Sequence, residues 1–258
     1  MDVKNNLDAL LGAVKQANQA ILNIYDKPSF DVENKADDSP ITEADKASHL
    51  ILISAIAELF PDTPIVSEED DHNDTFEKLQ SDAFWLIDPL DGTKEFVNKN
   101  GQFSVCIALV KHGRPFFGIV SIPTQDTLYY GGPEFGSFKQ IARGEPEVVQ
   151  VAPEPTNIVT ASLSHLNEAT ERYIGQHYPD ATIARAGSSL KAMMVAEGLA
   201  DAQPVLGGQM KLWDLAAGHA IVVGAGGFVS RPDGGEVNYQ LTDTLLVGDF
   251  VTRATEAL

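Results

Sequence analysis

The sequence predicts an α+β first half joined to an α/β second half, and three patterns carry that prediction. Leu7, Leu10, Leu11, Val14, Ala17, Ile21 and Ile24 recur at helical spacing, so the chain opens with a long amphipathic helix. Residues 83–130 then carry strand-like apolar runs separated by turn signals, the pattern of an antiparallel meander. Beyond residue 155 strands and helices alternate, which favours a second, mixed sheet with helices layered against it.

Each element has a local reason. Pro28 ends the first helix. Ser39-Pro40-Ile41-Thr42-Glu43-Ala44-Asp45 reads as an extended segment feeding a second helix, which continues through Leu50, Ile51, Ile53, Ile56 and Leu59. Thr42 is its expected N-cap, and Asp45 lies in its first turn at capping-box spacing. Pro61 and Pro64 stop it before the short strand Ile65-Val66-Ser67. The expected strands run from Phe84 to Ile87, Gln102 to Val110, Pro115 to Ile122 and Thr127 to Tyr130, with turns at His112-Gly113, Pro123 to Asp126 and Gly131-Gly132. The Pro- and Glu-rich stretch from Glu145 to Pro155 is the expected hinge, dividing the chain into halves at 1–153 and 154–258. Beyond it come an expected strand from Ile158 to Ala161, a helix near Asn167 to Tyr178 and a strand at Thr182 to Ala184. A helix near Ser188 to Glu197, a strand from Ala202 to Leu206 and a helix near Trp213 to Val223 complete the pattern.

At 258 residues the chain is long enough for one large domain or two packed halves. Its formal charge of −19 argues against a nucleic-acid polymer or an anionic membrane surface as partner, since both require clustered Lys and Arg. It leaves room for a small phosphorylated metabolite, whose binding depends on local charge and a bound cation. The lone Cys106 lies in an apolar strand-like run and reads as a small buried side chain. No basic-then-apolar leader opens the sequence and no apolar stretch is long enough to span a bilayer, so a cytoplasmic protein is expected. Oligomeric state is not legible.

The chemistry concentrates at Asp88-Pro89-Leu90-Asp91-Gly92-Thr93, directly after the apolar run Phe84 to Ile87. Two aspartates at the end of a buried strand repel each other and resist ionisation unless a cation neutralises them. Oxygen-only donors with no neighbouring His or Cys point to magnesium rather than zinc. Gly92 lets the backbone approach a phosphate, and a helix starting at Thr93 would turn N–H groups toward it. Other acids stand at element boundaries: Asp45, Glu68-Glu69 and Asp214. Taken singly, Asp45 reads equally as a helix-dipole partner, Glu68 to Asp71 as a solvated turn, and Asp214 as a helix cap.

Taken in order, Pro40 to Asp45, Ser67-Glu68-Glu69-Asp70, Trp85 to Thr93 and Trp213 to Gly218 resemble the inositol monophosphatase superfamily of magnesium-dependent, lithium-sensitive phosphatases. Asp88 to Phe96, with Gly187 to Lys191 and Trp213 to Ala220, looks most like its bacterial 3'(2'),5'-bisphosphate nucleotidases, and the likeness runs from the first helix to about Val223. The resemblance implies a layered αβαβα sandwich of the sugar-phosphatase type, with an antiparallel N-terminal sheet and a mixed C-terminal sheet meeting at the cleft. It implies two or three Mg²⁺: one held by Glu68, Asp88 and the Leu90 carbonyl, a second by Asp88, Asp91 and Asp214, and a third, weaker one near Asp45 and Glu68, catalytic residues that would also lie near the attacking water. Thr93 and Asp45 would orient the attacking water. His165, Ser188 and Lys191 would contact the sugar and second phosphate, and Asp91, Gly92, Thr93 and Asp214 would also face the substrate. The implied reaction is hydrolysis of adenosine 3',5'-bisphosphate to AMP and phosphate, relevant to sulfur assimilation.

Val205 and Leu163 stand where such nucleotidases usually carry Arg, so the preferred substrate stays open. An inositol-phosphate or other sugar-phosphate phosphatase is the alternative within the enzyme class, and a non-catalytic metal-binding regulator the alternative outside it. Gly224 to Val229 does not fit a dinucleotide fingerprint, because it follows a helix; a helix C-cap leading into a strand explains it. A serine hydrolase is disfavoured, as no Gly-x-Ser-x-Gly elbow is present.

Overall fold

The structure is a computed structural model that describes residues 2–34 and 40–256. Ser39, at the head of the expected extended segment, lies outside the described residues, as do Met1 and residues 257–258. The elements, in chain order, are α1 (Leu7–Tyr25), β1 (Val32–Asn34), β2 (Pro40–Thr42), α2 (Glu43–Leu59), β3 (Ile65–Ser67), α3 (Thr75–Leu79), β4 (Ala83–Asp91), α4 (Thr93–Val97) and β5 (Ser104–Lys111). They continue with β6 (Arg114–Ile122), β7 (Thr127–Gly132), β8 (Gly136–Ile141), β9 (Glu147–Val149), β10 (Ile158–Ser162), α5 (Glu168–His177) and β11 (Thr182–Ala186). The last are α6 (Leu190–Ala196), β12 (Ala202–Val205), α7 (Leu212–Gly224), β13 (Phe228–Ser230) and β14 (Phe250–Arg253).

The layering follows from strand alternation. In β4, Trp85 and Ile87 face one way and join Leu10, Val14, Ile21, Leu52 and Ile56 of α1 and α2 in one core. Phe84 and Leu86 face the other way and join Met193 of α6, Ala216 and Ile221 of α7, and Phe250 of β14 in a second. Val251, the next residue of β14, points outward to Tyr173 and Ile174 of α5. The order is therefore α1/α2, first sheet, α6/α7, second sheet, α5: the αβαβα sandwich.

The first sheet runs β3-β4-β5-β6-β7-β8-β9. All its neighbours are antiparallel except β3 and β4, which pair in parallel because the connection through α3 carries the chain back to its starting edge. The second sheet runs β11-β10-β12-β14-β13 and is mixed, with β10 parallel to β11 and β12 and the last two strands antiparallel. A separate antiparallel pair, β1 and β2, precedes α2.

Two expectations need correction. Gly131-Gly132 is not a turn: both residues pair within the ladder, opposite Ser137 and Gly136. A Cβ on Gly132 would lie 2.2 Å from the Phe116 carbonyl oxygen, so the glycines serve close approach of strands. The expected hinge also contributes a strand, since Glu147–Val149 adds β9 to the edge of the first sheet; its β-branched pair Val148-Val149 suits a ladder better than a linker. The connecting segment begins only after Val149. No described helix is long and apolar enough to cross a membrane.

Candidate active site and metal centre

The site is built where β4 breaks off its pairing. Pro89 has no N–H to give the ladder, and the register with β5 shifts between Asp88 and Asp91. The Pro89 carbonyl instead accepts from the Ser48 hydroxyl of α2 at 2.8 Å, and Leu90 N–H donates to Asp88 Oδ1 at 3.0 Å. Gly92 then turns through a left-handed φ of 91°, with Gln102 and Ser188 close enough to resist any Cβ. Thr93 opens α4.

Other elements converge on that break. Glu68 follows β3 and is anchored by its N–H to the Ile87 carbonyl at 3.0 Å. Asp214 sits in the first turn of α7, accepting from Lys211 N–H at 2.9 Å. One carboxylate oxygen each from Glu68, Asp88 and Asp214 lies within 4.8 Å of the others. Asp45, buried in the first turn of α2, completes the expected capping box: Thr42 N–H donates to Asp45 Oδ2 at 2.8 Å, and the Thr42 hydroxyl accepts from Ala44 N–H. Its second oxygen, Oδ1, lies 3.2 Å from the Thr93 hydroxyl, which is also 3.3 Å from the Leu90 carbonyl.

Asp91 stands outside the tight carboxylate group. Its Oδ2 accepts from the hydroxyls of Ser188 at 2.5 Å, Ser189 at 2.9 Å and Ser104 at 3.2 Å. Ser188 is held in a left-handed backbone, φ 50°, to reach it. Lys191, buried in α6, donates to the Ser188 carbonyl. Across the cleft, Lys94 Nζ lies 2.9 Å from His165 Nε2, and Ser164 donates to Glu95 Oε1 at 2.6 Å, tying the loop after β10 to α4.

The electrostatics are those of carboxylates crowded together and withdrawn from water. Burial first, then the charges of Glu68, Asp91 and Asp214, hold Asp88 well above the usual carboxylate range. Burial and the charges of Glu68 and Asp91 do the same to Asp214. Asp91 is raised by burial, against the lowering pull of the Ser188 hydrogen bond and the Lys191 charge. Burial lowers Lys191, opposed by Asp91, Glu95 and Asp214. Burial and then Lys94 lower His165, so its Nε2 stands as a neutral acceptor facing the ammonium. Crowded, buried oxygen donors of this kind fit a hard divalent ion and offer nothing to a thiophilic one.

Every residue the sequence assigned to metal, water or substrate lines one cleft of about 600 Å³, apart from Asp45, which reaches it through Thr93; Glu69 and Leu163, also marked, do not line it. The lining also includes the apolar side chains of Leu166, Pro204, Val205, Leu206 and Met210, beside Asn167, Thr170, Gln203 and Gln209. Sequence reasoning missed Ser104 and Ser189. The signal for Ser104 was weak, a lone hydroxyl opening an apolar strand; its meaning comes from lying opposite Asp91 in the ladder.

Comparison with known proteins agrees along the full chain. The sequence model of the inositol monophosphatase family matches residues 2–257. The protein named 3'(2'),5'-bisphosphate nucleotidase CysQ in Escherichia coli strain K12 is 38% identical, over 95% of this chain and 98% of its own length. The protein of that name in Buchnera aphidicola is 37% identical, over 92% and 88% respectively. The crystal structure of CysQ from Bacteroides thetaiotaomicron, described as a bacterial member of the inositol monophosphatase family, superposes with a TM-score of 0.85 at 33% identity, covering 98% of each chain.

Proposed function

The chain belongs to the inositol monophosphatase family, and from that premise we propose that it is a Mg²⁺-dependent phosphomonoesterase hydrolysing adenosine 3',5'-bisphosphate to AMP and phosphate. The observation that carries the reading is the approach of Glu68, Asp88 and Asp214 to within 4.8 Å, in the same cleft as the Asp45–Thr93 pair. The relatives named 3'(2'),5'-bisphosphate nucleotidase support a nucleoside bisphosphate as the substrate class.

Glu68, Asp88 and the Leu90 carbonyl would hold one ion, and Asp88, Asp91 and Asp214 a second, with a third, weaker position near Asp45 and Glu68. Bound there, Mg²⁺ supplies charge relief on the phosphoryl oxygens and makes a water acidic enough to attack. The protein's own groups do the positioning. Asp45 Oδ1 draws the Thr93 proton toward itself, leaving the hydroxyl's lone pairs to accept from the attacking water. Asp45 itself is fixed by Thr42, so the pair cannot rotate away. Water oxygen bonds to phosphorus and gives up a proton, the bond from phosphorus to the 3'-oxygen breaks, and that oxygen takes up one proton to leave as the hydroxyl of AMP. No protein nucleophile is required. His165, Ser188 and Lys191 meet the sugar and second phosphate, with Lys94 adding a cation beside His165. Leu166, Val205 and Met210 offer the base an apolar wall.

Val205 also supports a second reading, a phosphatase for inositol phosphate or another sugar phosphate, since it adds no cation to that wall. Phosphate release from adenosine 3',5'-bisphosphate, inositol 1-phosphate and fructose 1,6-bisphosphate in Mg²⁺ separates the two. The nucleotide should give the highest kcat/KM. Preferred turnover of inositol 1-phosphate would replace the nucleotide assignment, and turnover of none would favour a non-catalytic regulator.

A further inference from the structure

The loop that carries Glu68 is held at both ends. At its start, Glu68 N–H donates to the Ile87 carbonyl and Ser67 N–H to Asp70 Oδ2. Beyond the acidic run, His72 lays its imidazole flat against the indole of Trp213, with ring centroids 5.3 Å apart and planes 7° from parallel. Trp213 is buried and directly precedes Asp214. His72 reaches it from a left-handed backbone, φ 58°, a conformation that costs any residue with a Cβ and persists only where its surroundings hold it. Its Nδ1 lies 3.2 Å from Thr75 Oγ1, which sets the ring's orientation.

Glu68, Asp88 and Asp214 repel one another before a cation arrives. Asp88 sits within a strand paired on both sides and Asp214 in a helix seated between two sheets. Glu68 begins a loop, so it is the member whose backbone can yield. A ring stacked on Trp213 opposes that movement, because it ties the far end of the loop to the residue beside Asp214.

We infer that His72 is a positioning residue, whose stack on Trp213 holds the Glu68 loop against the first turn of α7 so that the carboxylate cage is assembled before the metal binds. The inference rests on the metal reading above. It explains why a residue outside the cleft lining adopts a costly backbone conformation: the ring contact joins the two segments that supply Glu68 and Asp214.

Mn²⁺ alone, titrated into metal-free protein without substrate, tests this through loss of the free-ion electron paramagnetic resonance signal, since carboxylate sites also accept Mn²⁺. His72→Asn tolerates the left-handed backbone but removes the stack, and should bind Mn²⁺ about fivefold more weakly. Amide exchange across residues 68–74 should quicken in the same variant. His72→Phe restores a ring and should bring both readouts back toward wild type. Wild-type Mn²⁺ affinity in His72→Asn, or no recovery in His72→Phe, overturns the inference and leaves the metal reading standing. Absence of Mn²⁺ binding by the wild type overturns both.

Discussion

Asp91 is a half-buried carboxylate whose Oδ2 is occupied by serine hydroxyls while Lys191 draws it with its charge. Hydrogen bonds to the charged form keep it available to a cation despite burial. Asp91→Asn preserves volume and most of these contacts but removes the charge. It should leave the thermal midpoint nearly unchanged and lower kcat by at least about a hundredfold, the upper end of what even an outer-shell partner costs. Activity near wild type would contradict the role assigned to Asp91. Asp88 carries a pH dependence of definite sign. A carboxyl raised by burial keeps its proton in the folded state after the unfolded chain has released it. Its contribution to stability is complete below the unfolded value and declines as pH rises toward the folded one. Chelator-treated wild type should therefore lose thermal stability relative to Asp88→Asn as pH climbs from about 4 toward neutrality, and Mg²⁺ should restore it. A gap in midpoints that does not change with pH would contradict this account. At this scale the acids were legible, because charges at the ends of apolar runs are conspicuous. Ser104 and Ser189 were not, because a hydroxyl acquires meaning only from the carboxylate it faces.

At the scale of elements, α7 sets the position of Asp214. Leu212, Trp213, Leu215, Ala216, Ala217, Ala220, Ile221 and Val222 are all buried, as befits the central layer between two sheets. A helix apolar on every side lacks the one-sided stripe that marks a surface helix, so its depth could not be read from periodicity. What seats it is Gly118 of β6. A Cβ there would lie 2.4 Å from the Ala217 carbonyl oxygen and 2.9 Å from its Cα, contacts that only backbone movement can relieve. Gly118→Ala should lower stability by about 1–3 kcal/mol, measured from the urea midpoint, and should weaken stabilisation by Mg²⁺ because Asp214 moves with its helix. An unchanged midpoint would mean α7 is not seated on this glycine. By contrast α2 was legible to its first turn, since Thr42, Glu43 and Asp45 form a local capping pattern that needs no distant partner.

Across the whole molecule, the two sheets share one apolar layer, in which Phe84, Leu86 and Cys106 meet Ala192, Trp213 and Phe250. A polar contact also ties the middle layer to the first sheet: Glu197, at the end of α6, accepts from the Tyr129 hydroxyl and from Lys139 Nζ at 2.7 Å. Burial and then Glu197 raise Tyr129 far above the usual phenol range, so it serves as the donor. Glu197→Gln removes the charge that compensates a largely buried lysine and should cost about 1–3 kcal/mol in urea unfolding. The transition should stay single, because both sheets bury their inner faces in that one shared layer; a second transition would show that the halves fold independently. The net charge of −19 does not oppose an anionic substrate, since Lys94 and Lys191 face the cleft that the acids share.

By itself the sequence determined what depends on neighbours in the chain: the capping box at Thr42, the crowded aspartates after the apolar run of β4, the glycine at 92 that admits close approach and the oxygen-only character of the donors. Residue type and local backbone conformation suffice for these. Only the tertiary structure decided that β3 pairs in parallel beside β4, that Gly131 and Gly132 extend a strand, and that Asp91 turns to serines from β5 and the start of α6. Those outcomes depend on which segments meet across the layers, and short-range periodicity does not encode that.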